Sequence, residues 1–291
     1  MGQLRYILAS MRVPQWIKNF FVFAALVFSF HLRNIQDDLV TFYGFLAFSL
    51  AASAIYLVND IADLEADRLH PVKSQRPLPS GKLSTSTAMG SAVFLMLIAL
   101  AGGFYLNVQF GIVVAIYIAI NILYSYWLKR VVILDVMTIS AGFVLRVAAG
   151  AYLIDVPMSE WLLICTVLLS LFLGFSKRRH EITLLEKSAN THRSVLEHYT
   201  PYFLDQMIGI VTASTVMSYA LYTMSEETMQ KFGTRHLVYT VPFVLYGIFR
   251  YLYLVHRSEE GGNPTKLALT DRPLLINIIL WVVSVIVIIY R

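Results

Sequence analysis

Asn59, Asp63 and Asp67 stand four residues apart in the stretch NDIADLEADRLHPVKSQRPLPSGKLS, residues 59–84. On a helix, positions i, i+4 and i+8 rise along one face, so an amide and two carboxylates there can converge on a single cation. Asp60 and Glu65 would point elsewhere. With no cysteine or paired histidine beside them, these side chains form a hard oxygen set of the kind that suits Mg2+. That ion usually keeps several waters and completes its shell with substrate phosphates. His70 follows Asp67 at a spacing open to a metal ligand, but before Pro71 it reads as a loop residue bonding a phosphate or a backbone group.

A second polar stretch has the opposite chemistry. Lys177-Arg178-Arg179-His180-Glu181 sets one carboxylate among four groups able to carry positive charge, which cannot chelate a cation. It suits an anion: Arg offers a bidentate fork to phosphate and Lys a compact charge. The other reading of these charges is a cluster that merely orients the neighbouring apolar segment. Asp135 and Arg146 lie eleven residues apart, close to three helical turns, and so share one face of an apolar segment. Ionisable groups inside such a segment mark a functional site or hold a structural partner. Tyr124 and Lys129 bring a phenol and an ammonium to the end of the preceding segment, where a tyrosine also serves as an interfacial anchor.

These groups must be positioned by a chain that is 57% hydrophobic and only 14% charged over 291 residues. Soluble domains carry about 25% charged residues, so the composition is that of a multi-pass membrane protein. Crossing a bilayer takes about 20 apolar residues of helix. Nine segments of that character fall near residues 19–32, 39–58, 87–106, 109–127, 134–154, 159–176, 207–225, 237–255 and 274–290. Residues 1–18 read as an amphipathic helix lying on the membrane surface, with Leu4, Ile7, Leu8 and Met11 on one stripe. Sorting the connections by side places 17 Lys and Arg on one face and 4 on the other. Cytoplasmic loops carry the excess, so the amino terminus and every long polar loop are expected in the cytoplasm, and the carboxyl terminus outside. The net charge of +5 follows from that bias and calls for no nucleic-acid partner. No repeat or separate linker is visible, so residues 1–291 read as one membrane-embedded domain. Within its longest polar break, HRSVLEHYTPYFLDQM reads as a short helix broken at Pro201, able to lie across the cytoplasmic face as a lid. The single cysteine, Cys165, excludes an intrachain disulfide.

The acidic motif N-D-x-x-D-x-x-x-D at 59–67, together with the nine segments and their loops, resembles the UbiA superfamily of intramembrane prenyltransferases. Within it, NDIADLEADRLHPVKSQRPLPSG, YSYWLK, GFVLRVAAGA, GFSKRRHE and LTDRPLL look like the decaprenyl-phosphate phosphoribosyltransferase branch, over about residues 11–275. The aromatic prenyltransferases of the superfamily carry a second acidic motif after the sixth segment. Here SKRRHE stands in its place, which turns the expected donor from an isoprenoid diphosphate to an activated ribose.

The resemblance implies an all-α, UbiA-like bundle of nine transmembrane helices with cytoplasmic active-site cap loops, in a cell (inner) membrane. It implies transfer of a 5-phosphoribosyl group from phosphoribosyl diphosphate to a polyprenyl phosphate, with Mg2+ as cofactor at Asn59, Asp63 and Asp67. Asp63, Asp67, Lys129 and Asp135 are then the expected catalytic groups. Lys73, Arg76, Tyr124, Lys129, Arg146, Lys177, Arg178 and Glu181 are the expected substrate-binding groups, Lys73, Arg76 and Lys129 securing the donor's phosphates and Lys177 and Arg178 the lipid headgroup. Asp135 or Glu181 would alternatively bond the ribose hydroxyls or orient the basic groups. Assembly as a homo-oligomer is left open. Two other functions compete: prenyl transfer from an isoprenoid diphosphate to an aromatic acceptor, and ion transport along the intramembrane charges. The basic SKRRHE stretch opposes the first, and the gathering of charge at one face, without paired broken segments, opposes the second.

Overall fold

The computed structural model describes residues 2–70, 72–186, 194–257, 267 and 269–291, and all regular elements among them are helical. Eight of these helical stretches are long and apolar enough to cross a membrane. The expected first segment is different. It is Val13–Phe28, a 3-10 helix over Val13–Phe23 continued by a short α-helix, Ala24–Phe28. At roughly 2.0 Å per 3-10 residue and 1.5 Å per α residue it reaches about 30 Å, near the thickness of a hydrocarbon core.

The chain divides into two compact units. The first comprises Met1–Pro157 and Asn190–Val195, and carries α1 (Gly2–Ser10), α2 (Ala24–Phe28), α3 (Ile35–Ala62), α4 (Leu64–Leu69), α5 (Thr85–Leu106), α6 (Val108–Tyr126) and α7 (Leu134–Leu153). The surface helix expected over 1–18 stops at Ser10, because Arg12 takes a left-handed conformation, φ 53° and ψ 49°, that an α-helix cannot continue through. Pro14 then opens the 3-10 helix, where its missing N–H costs nothing.

Within this unit α3 packs against α5, α6, α7 and the 3-10 helix. Small residues make that possible: Ala47, Ala51, Ala52 and Ala54 are buried along α3, beside Phe48 and Ile55. At three residues per turn, Trp16, Asn19 and Val22 form one stripe of the 3-10 helix. The Trp16 indole N–H donates to Ser53 Oγ at 3.0 Å, and Asn19 Nδ2 donates to Ser49 Oγ at 2.9 Å. Val22 closes the stripe against α7 at Gly150, where a Cβ would lie 1.9 Å from the Val22 carbonyl oxygen. Asn107 alone joins α5 to α6, its side chain accepting from the N–H groups of Gln109 and Phe110.

The second unit comprises Met158–Ala189 and Leu196–Arg291. It carries α8 (Glu160–Glu186), α9 (Pro201–Met224), α10 (Glu226–Phe232), α11 (Val241–Arg257) and α12 (Arg272–Tyr290). Pro201 opens α9 at its first turn, with Thr200 as the cap accepting from Phe203 N–H, and does not break a helix. Before it, Ser194–His198 is a single 3-10 stretch; the start of the expected lid lies outside the described residues. Asp271 caps α12 by accepting from Leu274 N–H and is gripped through both carboxylate oxygens by Arg250 of α11, at 3.1 and 2.8 Å.

Candidate functional site

The helix carrying the acidic motif ends just inside it. α3 stops at Ala62 and α4 starts at Leu64, yet the Asp63 N–H still donates to Asn59 O at 2.9 Å and the Asp67 N–H to Asp63 O at 2.8 Å. The four-residue register therefore survives the break. Asn59 Nδ2 donates to Asp63 Oδ2 at 3.1 Å, so the first two members of the set touch. Ser125, near the end of α6, approaches Asn59 Oδ1 at 3.5 Å.

Each carboxylate of the motif faces a cation. Lys129, from the 3-10 turn Leu128–Arg130, bonds Asp63. Asp67 is only 2% exposed and takes Arg76 at 2.8 Å and Lys73 at 3.3 Å. Asp60 does not turn away, as its register suggests, into an unrelated environment. It is 1% exposed, and its Oδ1 accepts both Arg12 and Arg76, the latter at 3.2 Å. Burial, and then the charge of Arg12, pull the pKa of Arg76 below its ordinary value. The resulting cluster gathers Asn59, Asp60, Asp63, Asp67, Lys73, Arg76, Lys129 and Arg12. Among the described residues no three His, Cys, Asp or Glu side chains converge as metal ligands do. The expected donors are two carboxylates and one amide: Asn59 touches Asp63, while Asp67 is held by Arg76 and Lys73; by type, such oxygens suit Mg2+ better than a softer ion.

His70 is a backbone cap. Its Nδ1 accepts from Val72 N–H at 3.1 Å and Lys73 N–H at 3.3 Å, which requires the neutral ring and holds the start of the basic loop. Burial, followed by the Lys73 charge, lowers its pKa in keeping with that role.

Arg146 lies deeper in the first unit. Its guanidinium donates to Asn19 Oδ1 at 2.8 Å, Gly142 O at 2.6 Å and Tyr117 Oη at 3.0 Å. It also rests 4.9 to 5.4 Å from the rings of Tyr117, Phe48 and Phe143. Expected among substrate-binding groups, it ties the 3-10 helix to α6 and α7. Asp135, fully buried in the first turn of α7, shares its unit, and Tyr124 is half-buried near the end of α6.

Lys177, Arg178 and Glu181 belong to the second unit, at the end of α8. Arg178 has no exposed side-chain surface and donates to Glu181 Oε2 at 2.5 Å; Lys177 lies 3.9 Å from the other oxygen. Arg179 pairs with Asp205 of α9 at 2.8 Å.

Sequence reasoning missed Arg12, Asp60, Asn19 and Tyr117. Arg12 and Asp60 are 48 residues apart, and nothing local to either announces the other. For Asn19 a signal existed: a polar amide inside an apolar run asks for a partner.

The UbiA prenyltransferase family model matches residues 19–270. The decaprenyl-phosphate phosphoribosyltransferase of Corynebacterium glutamicum is 34% identical over 97% of this chain and 86% of its own length. That of Mycolicibacterium smegmatis is 33% identical over 95% of this chain and 90% of its own. A solved UbiA homolog from Archaeoglobus fulgidus, bound to GPP and Mg2+, superposes with a TM-score of 0.73 at 19% identity, over 98% of this chain and 100% of that one. It shares the fold.

Proposed function

The chain belongs to the UbiA prenyltransferase family, and from that membership we propose that it transfers a 5-phosphoribosyl group from phosphoribosyl diphosphate to a polyprenyl phosphate of the decaprenyl type. The observation that carries this reading is the near full-length likeness to two phosphoribosyltransferases of that acceptor. The chemistry of the two clusters supports it. The motif at 59–67 has cations in reach for the oxygens of a diphosphate, and the basic stretch of α8 has its one carboxylate, Glu181, already paired with Arg178.

Asn59, Asp63 and Asp67 would hold a divalent metal. Mg2+ there would neutralise charge developing on the leaving diphosphate. Lys73, Arg76 and Lys129 bind the diphosphate oxygens and fix the direction in which that group departs. Lys177, the more exposed cation of the pair, takes the headgroup phosphate of the lipid, and Arg178, buried and paired with Glu181, braces the same turn of α8. One of its oxygens attacks the anomeric carbon of the ribose, forming a C–O bond as the bond to diphosphate breaks, so an α-linked donor gives a β-linked product. A phosphate monoester is largely ionised near neutral pH, its second pKa being about 6, so the nucleophile needs no dedicated base. Asp135 orients basic groups of the first unit and Glu181 those of α8, and Tyr124 borders the same rim as Lys129.

The protein is a multi-pass membrane protein. Its Lys and Arg asymmetry puts the amino terminus and the polar loops in the cytoplasm, and Val13–Phe28 supplies the first of nine crossings in the cell membrane.

Incubating the purified protein with Mg2+, radiolabelled phosphoribosyl diphosphate and decaprenyl phosphate tests the assignment. Label should pass into the lipid fraction. If it does not, while an isoprenoid diphosphate and an aromatic acceptor yield product, the chain is a prenyltransferase.

A further inference from the structure

Arg12 lies upstream of the residues matched by the family model, at the left-handed joint between α1 and the 3-10 helix. Its guanidinium nonetheless reaches the acidic motif. It bonds Asp60 Oδ1 and stands 5.0 Å from the ring of Tyr56, one turn earlier on α3. The same Oδ1 accepts Arg76, at 3.2 Å, while Arg76 holds Asp67 at the shorter 2.8 Å. Arg76 is therefore shared between two buried carboxylates, and the sharing depends on what else Asp60 faces.

We propose that Arg12 is a positioning residue for the diphosphate site: by answering the charge of Asp60, it leaves Arg76 directed at Asp67 and the donor's phosphates. Without Arg12, Asp60 is a buried carboxylate with Arg76 as its remaining cation in this cluster. A buried charge left with one partner draws that partner closer, because low surrounding polarity strengthens their attraction. Arg76 then turns toward Asp60 and away from the diphosphate. The inference rests on the diphosphate reading of this cluster.

The test measures binding of inorganic diphosphate with Mg2+ to the full-length chain and to the variants R12A, R12K, R76A, R12A/R76A and R12A/D60N. Loss of one charge-assisted contact corresponds to roughly tenfold in affinity, and R12A should weaken diphosphate binding by about that factor. R12A/R76A should bind no more weakly than R76A, because Arg12 acts through Arg76. R12A/D60N should recover toward the unsubstituted chain, since the carboxylate that captures Arg76 has gone. R12K, which keeps the charge but not the fork, should lie between R12A and the unsubstituted chain. In turnover, R12A should raise KM for phosphoribosyl diphosphate and leave KM for the polyprenyl phosphate unmoved.

Effects that multiply in R12A/R76A, no recovery in R12A/D60N, or a lowered melting temperature with unchanged diphosphate affinity would each overturn the proposal. A chain that binds diphosphate with the expected variant pattern but labels no lipid would sustain it and remove the phosphoribosyl reading instead.

Discussion

At the scale of residues, side chains that answer each other are to be told from those proposed to answer a ligand. Arg146 illustrates the first kind. All three of its described hydrogen bonds go to Asn19, Gly142 and Tyr117, so replacing it with alanine takes this donor from the buried Asn19 and Tyr117 oxygens, while Gly142 O keeps its helical N–H partner. Arg146→Ala should lower stability by about 3 kcal/mol, read as a fall in melting temperature, with diphosphate affinity unchanged in the surviving folded protein. A change in KM without a change in melting would return Arg146 to the substrate. Asp63 is proposed to be of the second kind, although both of its oxygens also meet the protein. Its bond to Lys129 joins α3 to the turn after α6, and its other oxygen meets Asn59. Asp63→Asn keeps the shape and removes the charge. Turnover should fall by on the order of a hundredfold, with a higher Mg2+ concentration needed for half-maximal rate. An unaltered Mg2+ requirement would place the metal elsewhere.

At the scale of elements, one backbone approach and one ion pair make claims of their own. The 3-10 helix comes so near α7 that a methyl at Gly150 would meet the carbonyl of Val22 at 1.9 Å. Backbone cannot swing aside as a side-chain tip can, so Gly150→Ala should cost about 3 kcal/mol and move Trp16 and Asn19 off their serines. Tryptophan fluorescence of the variant would report the shift. In the second unit, the bond from Arg250 chiefly holds the carboxyl of Asp271 below the ordinary carboxylate range, and the Leu274 N–H adds to it. For an acid whose folded pKa is depressed, the stabilisation is fully present above the unfolded value, about 3.9 for Asp, and is lost as pH falls through the folded one. The melting temperature should therefore drop with acidification in that window, and Asp271→Asn should remove that part of the slope. A variant as acid-sensitive as the parent would show that this cap and pair do not hold α11 to α12. Both features rest on contacts between elements. Neither could be read from the sequence, because a glycine in an apolar helix and an aspartate two residues before a proline each have several uses.

At the scale of the whole molecule, what the sequence showed and what it hid divide along the same line. Eight apolar helices stand close to their expected bounds because hydropathy is a property of a segment alone, and the contacts Asn59 to Asp63 and Arg76 to Asp67 follow from local spacing. Arg12 and Asp60 meet across 48 residues, so their pairing was illegible. Val13–Phe28 is the intermediate case: apolar enough to be noticed, but too short as an α-helix, and its 3-10 geometry sets one stripe of side chains against α3 and α7. Its crossing decides the topology. If it spans the bilayer, Leu4 and Ser80 lie on the cytoplasmic side and Gln36 on the other; if it does not, Leu4 and Gln36 share a side. All three are exposed, and Cys165, the single native thiol, sits within α8. Leu4→Cys, Gln36→Cys and Ser80→Cys, each in a Cys165→Ser background, can be labelled with a membrane-impermeant thiol reagent in intact cells and in inverted vesicles. Gln36→Cys should react in cells, and Leu4→Cys and Ser80→Cys only in inverted vesicles. Labelling of Leu4→Cys and Gln36→Cys from the same side would reduce the crossings to eight, and the 3-10 helix would then be a wedge within the first unit and not a span.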